Sequence, residues 1–368
     1  MTGPECKHFP QNRGKWWDLI LSDVMTTMDT HGARPTMREV AKLAGVSIKT
    51  VSRVINEEPA VSEELRSKVL TAAAQLGYRP NFTASTLRRS AGGTRTLGLL
   101  LKDVANPFSA SLLRAIEDRA RARGYAVISA SVDEDDERER ELSQAFLSRQ
   151  VDGLIIVPTA GNHGYLAREV ERGTPIVFVD RAPAGIDADT VSSQNLEGAR
   201  DAVAHLIGLG HRSIAFLGDY MTISTASERL QGYREAMAGA GLVPDPELIV
   251  TDVHSDVVAE QAVRALLLSR QPPTALFTAQ NLITIGAVRA LRGLDMQHRV
   301  ALFGFDEFLL SDLLDPAVAV VEQDIYRIGQ TAAGLLFDRK EGLRTGPGEH
   351  IRIPTELIMR SSGEIPPV

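Results

Sequence analysis

The chain is poor in the features that would send it to a membrane, out of the cell or into a catalytic class. It has a single cysteine, Cys6, so an internal disulfide is not available, which suits a reducing cytoplasm. No apolar run approaches the ~18–20 residues of a membrane-spanning helix. The N-terminal stretch, charged at Glu5, Lys7, Arg13, Lys15 and Asp18, has no signal-peptide core. A GxxxxGK(S/T) loop, a GxSxG elbow, an HExxH and a CxxC are all missing, and Cys6-x-His8 is too sparse for a zinc site. Gly208-Leu209-Gly210 begins like a dinucleotide fingerprint but precedes a strand instead of following one. We therefore expect no enzyme, no cofactor and no metal. Basic character is also lacking overall, with a net charge of −7.

That charge is unevenly spread. Between Thr36 and Ser90 nine Lys and Arg face five Glu, a surplus of four positive charges, which leaves an excess of eleven negative charges elsewhere. A local basic module on an acidic body is the electrostatic footing that phosphate requires. Within it lies Thr36–Asn56, TMREVAKLAGVSIKTVSRVIN. Thr36 followed by Glu39 forms a capping box, and Val40, Leu43 and Ala44 repeat at helical spacing. Gly45 permits the exit from that helix and Ser47 can cap the next. In the second helix Val51, Val54 and Ile55 fall on one side, and Lys49, Arg53 and Asn56 on another. This predicts a helix-turn-helix whose second helix enters a DNA major groove. A third helix opens at Ser62, with Glu63 and Glu64 in its first turn, Leu65, Val69, Ala72 and Leu76 as its buried stripe, and Gly77 at its end. Tyr78 closes the shared core.

The residues AGVSIKTVSRVIN, then VSEELRSKVLTAAAQLGYRPN and a short helix ending in Leu87, closely resemble the DNA-binding domain of the LacI/GalR family of transcriptional regulators. The resemblance implies that Asn81–Ser90 is a hinge helix that orders when two subunits sit side by side on DNA. Leu87 would then wedge into the minor groove, with Ala84 close to its floor. Residues 1–35 depart from the family pattern, which begins near the first residue. We expect this extension to carry no chemistry, and it leaves Met25 and Met28 as alternative starts.

From Thr96 onward short apolar runs, TLGLLL, AVISAS, GLIIVP, IVFVD, SIAFLG, ALFTA and ALFGF, alternate with helical stretches. Alternation of this kind gives parallel sheets covered on both faces. The chain is too long for one such sheet, so we expect a two-lobed type I periplasmic-binding-protein-like α/β core behind an N-terminal all-α helix-turn-helix domain. The expected division is an extension at 1–35, the DNA-binding domain at 36–80, hinge and linker at 81–95, and the core at 96–368. Its N-lobe would span 96–191 and 323–352, and its C-lobe 192–322 and 353–360. The charge-dense Asp133–Glu141 run reads as a solvated helix start.

Ligands of open α/β sheets bind beyond the carboxyl ends of the strands. The polar residues there are Asp103 and Asn106 with Phe108 and Ser109, then Asp180 and Arg181, Arg229, Gln280 and Asn281, and Asp306 with Glu307. Acids and amides with an arginine suit a polyhydroxylated ligand, each hydroxyl needing a donor and an acceptor. The family resemblance supports Arg229 through ERxxGY, Asp306 through GxD, and adds Gln323 from VEQD. Three departures make the pocket less typical for a hexose: Gln280–Asn281 where Asn-Asp is common, Ser109 in place of a second aromatic, and Val253–His254 where an aromatic stacks on the ligand.

Together these observations predict a cytoplasmic DNA-binding regulator, a repressor, acting as a homodimer on a pseudo-palindromic duplex operator, with higher assemblies and the direction of ligand control left open. Ile48, Lys49 and Thr50 would face base edges. Arg53, Asn56 and Thr36 would supply phosphate and further base contacts, and Ser47, Ser52, Ser62, Asn81 and Arg88 complete the expected DNA-binding set. A sugar or sugar derivative in the cleft would change the lobe angle and bias DNA affinity. The alternative is a solute-binding protein of a sugar transport system, which shares the core but needs a signal peptide and no helix-turn-helix.

Overall fold

A computed structural model describes residues 35–55, 61–78 and 93–367, in two compact units, one within residues 1–88 and one within 89–368. The first holds α1 (Met37–Ala44), α2 (Ile48–Ile55) and α3 (Glu63–Leu76). The Thr36 hydroxyl accepts from the Glu39 N–H at 3.3 Å while the Glu39 carboxylate accepts from the Thr36 N–H at 2.7 Å, satisfying two amides that the helix start leaves over. Gly45 leaves α1 with φ +66°, and Ser47 Oγ accepts the Thr50 N–H at 3.1 Å to cap α2. Val40, Ala41, Val51, Val54, Val69, Ala72 and Ala73 form the core.

Three local expectations are corrected. Leu43 is 51% exposed, because the inward stripe of α1 runs Met37, Val40, Ala41, Ala44 at helical spacing and Leu43 falls off it. Leu65 is only partly buried, Ala73 taking a place in the core instead. Ser62 precedes α3 but its hydroxyl makes no capping bond.

The second unit has two lobes. The first contains β1 (Thr96–Leu101), α4 (Pro107–Ala122), β2 (Ala126–Ser131), α5 (Asp136–Ser148), β3 (Leu154–Ile156), α6 (Ala167–Glu171), β4 (Ile176–Val179) and β5 (Asp189–Ser193). The chain then crosses to α7 (Asn195–Gly208), β6 (Ile214–Leu217), α8 (Ser224–Gly239), β7 (Ile249–Val250), α9 (Asp256–Leu267), β8 (Ala275–Thr278), α10 (Asn281–Gly293), β9 (Ala301–Phe305) and β10 (Ala319–Gln323). It returns through α11 (Ile325–Lys340) and β11 (His350–Ile353) to the first lobe and ends with β12 (Thr355–Ile358) in the second. The sheets have matching orders, β11-β5-β4-β3-β1-β2 and β12-β10-β9-β8-β6-β7. All neighbours pair in parallel except β10 with β12. Crossings therefore fall at Ser193–Asn195, Gln323–Ile325 and Ile353–Thr355.

Helices bury both faces of each sheet, which is why the central strands read as continuous apolar runs. The polar DTVSS of β5 and the edge strands HIRI and TELI escape that signal. Among the described residues no helix is long and apolar enough to cross a membrane. Helices cross closely at two glycines. A Cβ on Gly232 of α8 would stand 2.2 Å from the Leu196 carbonyl oxygen of α7, and one on Gly286 of α10 would stand 2.3 Å from that of Asp256 in α9.

Gly232→Ala is expected to cost about 1–3 kcal/mol through overpacking, measured by urea denaturation. Unchanged stability would mean that α7 and α8 separate freely.

Candidate functional site

Two surfaces gather the residues singled out in the sequence. On the helix-turn-helix unit, Ser47, Ile48 and Lys49 at the start of α2 are exposed, as are Thr36 and Ser62, while Thr50, Ser52 and Arg53 are half-buried. The exposed Ile48 offers an apolar edge beside the Lys49 charge. The Thr36 hydroxyl is committed to the capping box, donating to Glu39 Oε2 at 2.9 Å, and Ser47 Oγ lies 2.9 Å from Thr50 Oγ1. Asn56, Asn81, Ala84, Leu87 and Arg88 lie outside the described residues.

The second surface is a partly open cleft between the two lobes, with about 560 Å³ of space between atoms, open solvent included. The carboxyl ends of strands and the first turns of helices build it. From the first lobe come Lys102 after β1, Asn106, Phe108 and Ser109 at the start of α4, Val157 after β3, and Asp180 with Arg181 after β4. From the second come Asp219 after β6, Ile223, Thr225, Ala226 and Arg229 around the start of α8, Ala279 with Gln280 and Asn281 after β8, Asp306 after β9 and Gln323 ending β10. All the expected ligand residues except Asp103 and Glu307 line this space. Asp103 is exposed and its carboxylate accepts the Ala105 N–H at 2.8 Å, shaping the loop instead. Glu307 also turns away, to Arg360 and Ser311.

A closed ring of buried side chains sits at the crossings. Ser193 Oγ donates to Gln323 Oε1, and Gln323 Nε2 donates to Asp306 Oδ1. Asp306 Oδ2 lies 3.7 Å from Arg229 Nη1, Arg229 Nε donates to Asn195 Oδ1 at 2.9 Å, and Asn195 Nδ2 returns to the Ser193 carbonyl at 3.2 Å. Arg229 also donates to the Ala279 carbonyl at 2.8 Å and lies 3.7 Å over the Phe305 ring. Its planar, permanently charged fork is held on every side.

Opposite this ring runs a chain of ion pairs. Arg181 grips both oxygens of Glu134 at 2.8 and 2.9 Å, and Lys102 Nζ stands 3.2 Å from both Glu134 Oε1 and Asp219 Oδ2, joining the lobes. A second link is the amide pair Asn106–Asn281, at 3.1 and 3.4 Å. Two polar atoms of the cavity are buried without a hydrogen-bond partner among the described residues: the donor Arg181 Nε and the acceptor Gln280 Oε1.

Lys102 and Asp219 were missed in the sequence, though both directly follow apolar strand runs and that position alone would have marked them. The Asp133–Glu141 run opens a helix and is exposed for most of its length, but two of its acids depart from that reading. Glu134 is drawn into the cavity network, and Glu139 is buried beneath the Thr159 N–H, the Tyr165 hydroxyl and His163. Val253 is packed in the second-lobe core and His254 stacks on Tyr220 at 5.2 Å, so neither lines the cavity.

Two family models match this organisation. Residues 36–81 match the bacterial regulatory proteins of the lacI family, and residues 94–361 match the periplasmic binding proteins and sugar binding domain of the LacI family. The chain is 34% identical to the ribose operon repressor of Halalkalibacterium halodurans over 89% of its own length and 96% of that protein. It is 30% identical to the transcriptional repressor CytR of Escherichia coli, again over 89% of its length and 96% of that protein. Among solved structures, the Lac repressor dimer bound to operator and the anti-inducer ONPF superposes with a TM-score of 0.78 at 26% identity, over 90% of this chain and 99% of that one.

Burial pushes the Asp180 carboxyl up, with Asp306 adding to the push and Arg181, Arg229 and Lys102 opposing it. A raised folded pKa means that the folded state holds this proton longer than the unfolded one. The associated stability is complete below the free Asp value of ~3.9 and is lost as pH rises through the folded value. Asp180→Asn is therefore expected to melt higher than the native protein at pH 7, with the gap closing toward pH 4. A gap that widens on acidification would reverse the sign.

Proposed function

The chain belongs to the LacI family of bacterial regulatory proteins, and from that premise we propose that it is a cytoplasmic repressor, not an enzyme, whose grip on an operator is set by an uncharged polyhydroxylated ligand between the lobes. Two copies of α2 in a homodimer enter successive major grooves of a pseudo-palindromic site, with Ile48, Lys49 and Thr50 toward base edges and Arg53 toward phosphate. The hinge residues Asn81, Ala84, Leu87 and Arg88 meet the minor groove between them.

One observation carries the ligand class. Every cation lining the cavity, Lys102, Arg181 and Arg229, already faces a carboxylate, so a phosphate or carboxylate on the ligand would meet no unpaired positive charge. What remains is an acceptor at Gln280 Oε1, the Arg181 Nε–H, which makes no hydrogen bond among the described residues although Asp180 Oδ2 stands 3.4 Å away, and apolar wall from Phe108, Val157 and Ile223. Hydroxyl groups on an apolar ring fit that set, because each can accept and donate. The ligand bridges both lobes and so favours one lobe angle over another. A transport binding protein would have the cavity but no use for the helix-turn-helix.

Thermal melting of the full chain against D-ribose (the sugar named in a relative), hexoses, polyols, nucleosides and sugar phosphates tests this. A neutral polyol is expected to stabilise the core by about 2.7 kcal/mol at a hundredfold excess over its Kd, and Asp306→Ala to remove the effect. Stabilisation by sugar phosphates alone would overturn the ligand class. Arg53→Ala is expected to weaken binding to an operator duplex selected from a random library about equally across sequences and to reduce the salt slope by about 1, while leaving the polyol shift intact. Loss of both would point to misfolding.

A further inference from the structure

We propose that Asp152 is a positioning residue for operator binding: its carboxylate anchors the point at which the linker from the DNA-binding unit enters the core, and it does so at the far ends of the same strands that form the ligand wall. This rests on the regulator reading above. Asp152 stands just before β3, with its side chain 6% exposed. Oδ1 accepts the Thr94 N–H at 3.1 Å and Oδ2 accepts the Arg95 N–H at 2.8 Å, so one carboxylate holds two successive backbone amides. Lys340 Nζ, from α11, lies 3.5 Å from Oδ1 and offsets the buried charge. The Thr94 hydroxyl donates to the Gln150 carbonyl at 2.8 Å, and the Asp152 N–H to the Thr96 carbonyl at 2.7 Å.

Any side chain at the preceding position would have to displace this carboxylate. A Cβ on Gly93 would stand 1.7 Å from Asp152 Oδ1, and the backbone turns at Arg95 with φ +50° before entering β1.

From this clamp β1 and β3 run side by side in parallel, Gly98 opposite Leu154 and Leu100 opposite Ile156, and their far ends deliver Lys102 and Val157 to the cavity. Six strand residues span ~20 Å. Both strands are buried in the sheet interior, so a shift at one end is carried to the other instead of being absorbed locally. The clamp makes the linker's origin a fixed point of the lobe that touches the ligand.

The test uses the full chain and an operator duplex selected with the native protein, measuring affinity over a salt series, melting temperature, and hydrogen exchange at the Thr94 and Arg95 amides. Asp152→Ala and Gly93→Ala are each expected to weaken operator binding at least about tenfold per folded molecule. The slope of log Kd against log salt should not change, because no phosphate contact is removed. Asp152→Asn, which keeps one acceptor, should fall between. A purely structural role would lower the melting temperature and leave the affinity of the folded molecules alone. If Asp152→Ala does not fold, Gly93→Ala and Asp152→Asn decide. Folded variants binding within twofold of the native protein, or fast exchange at both amides in the native chain, overturn the clamp. Failure to select any operator with the native protein would instead overturn the regulator reading, and the exchange measurement would still judge the clamp.

Discussion

The structure of the core depends on the ring Ser193–Gln323–Asp306–Arg229–Asn195. It closes across two of the three chain crossings, and the Gln194 N–H, donating to the Ile353 carbonyl at 2.9 Å, ties in the third. Every member is buried, so each polar atom must find its partner within the ring or with what enters the cavity. Three single-chain crossings give two lobes freedom to rotate. A satisfied polar ring at the pivot makes some rotations cost hydrogen bonds while others keep them. Arg229 is the least replaceable member, since a lysine at this position would lose the planar fork and the stacking on Phe305.

The two lobes repeat one design and use it differently. Asp180 and Asp306 occupy equivalent places after the third-position strands β4 and β9, donate their N–H groups to Val191 and Val321, and hold left-handed φ of 72° and 74°. Aspartate is among the few side chains that accept that conformation, and such strained residues gather at functional sites. Asp306 is absorbed into the pivot ring. Asp180 faces Arg181, whose guanidinium is drawn away to Glu134 and through it to Lys102 and Asp219. One aspartate thus serves the hinge and the other the inter-lobe ion chain, although their backbones are alike.

That ion chain shows how tertiary context changes the meaning of a charge run. Asp133–Glu141 is dense enough in charge to read as a solvated helix start, and most of it is. Yet the N-terminal turn of α5 lies beside the strand ends, so Glu134 faces Arg181 and Lys102, and Glu139 is buried under Thr159 and Tyr165. Burial opposes the Glu134 charge, but the Arg181 and Lys102 contacts outweigh it and hold its carboxyl below the usual range.

The sequence by itself determined the local structure. Capping box, glycine exits, the apolar stripe of α2 and the alternation of strand and helix are all set within a few residues, where propensity and period act directly. It also marked most of the polar residues of the cavity, though not Lys102, Asp219 or Thr225, because a parallel sheet sends polar groups after its apolar strands to one edge, and that rule needs no coordinates. Only the tertiary structure decided which of them meet. Asp103 and Asp180 are both strand-end acids, but one turns into its own loop and the other into the cavity. Lys102 acquired its role from two carboxylates far away in the chain, and Asp152 from the amides of residues 94 and 95. Pairing across such separations depends on how layers pack, and packing is a property of the whole fold that no window of sequence contains.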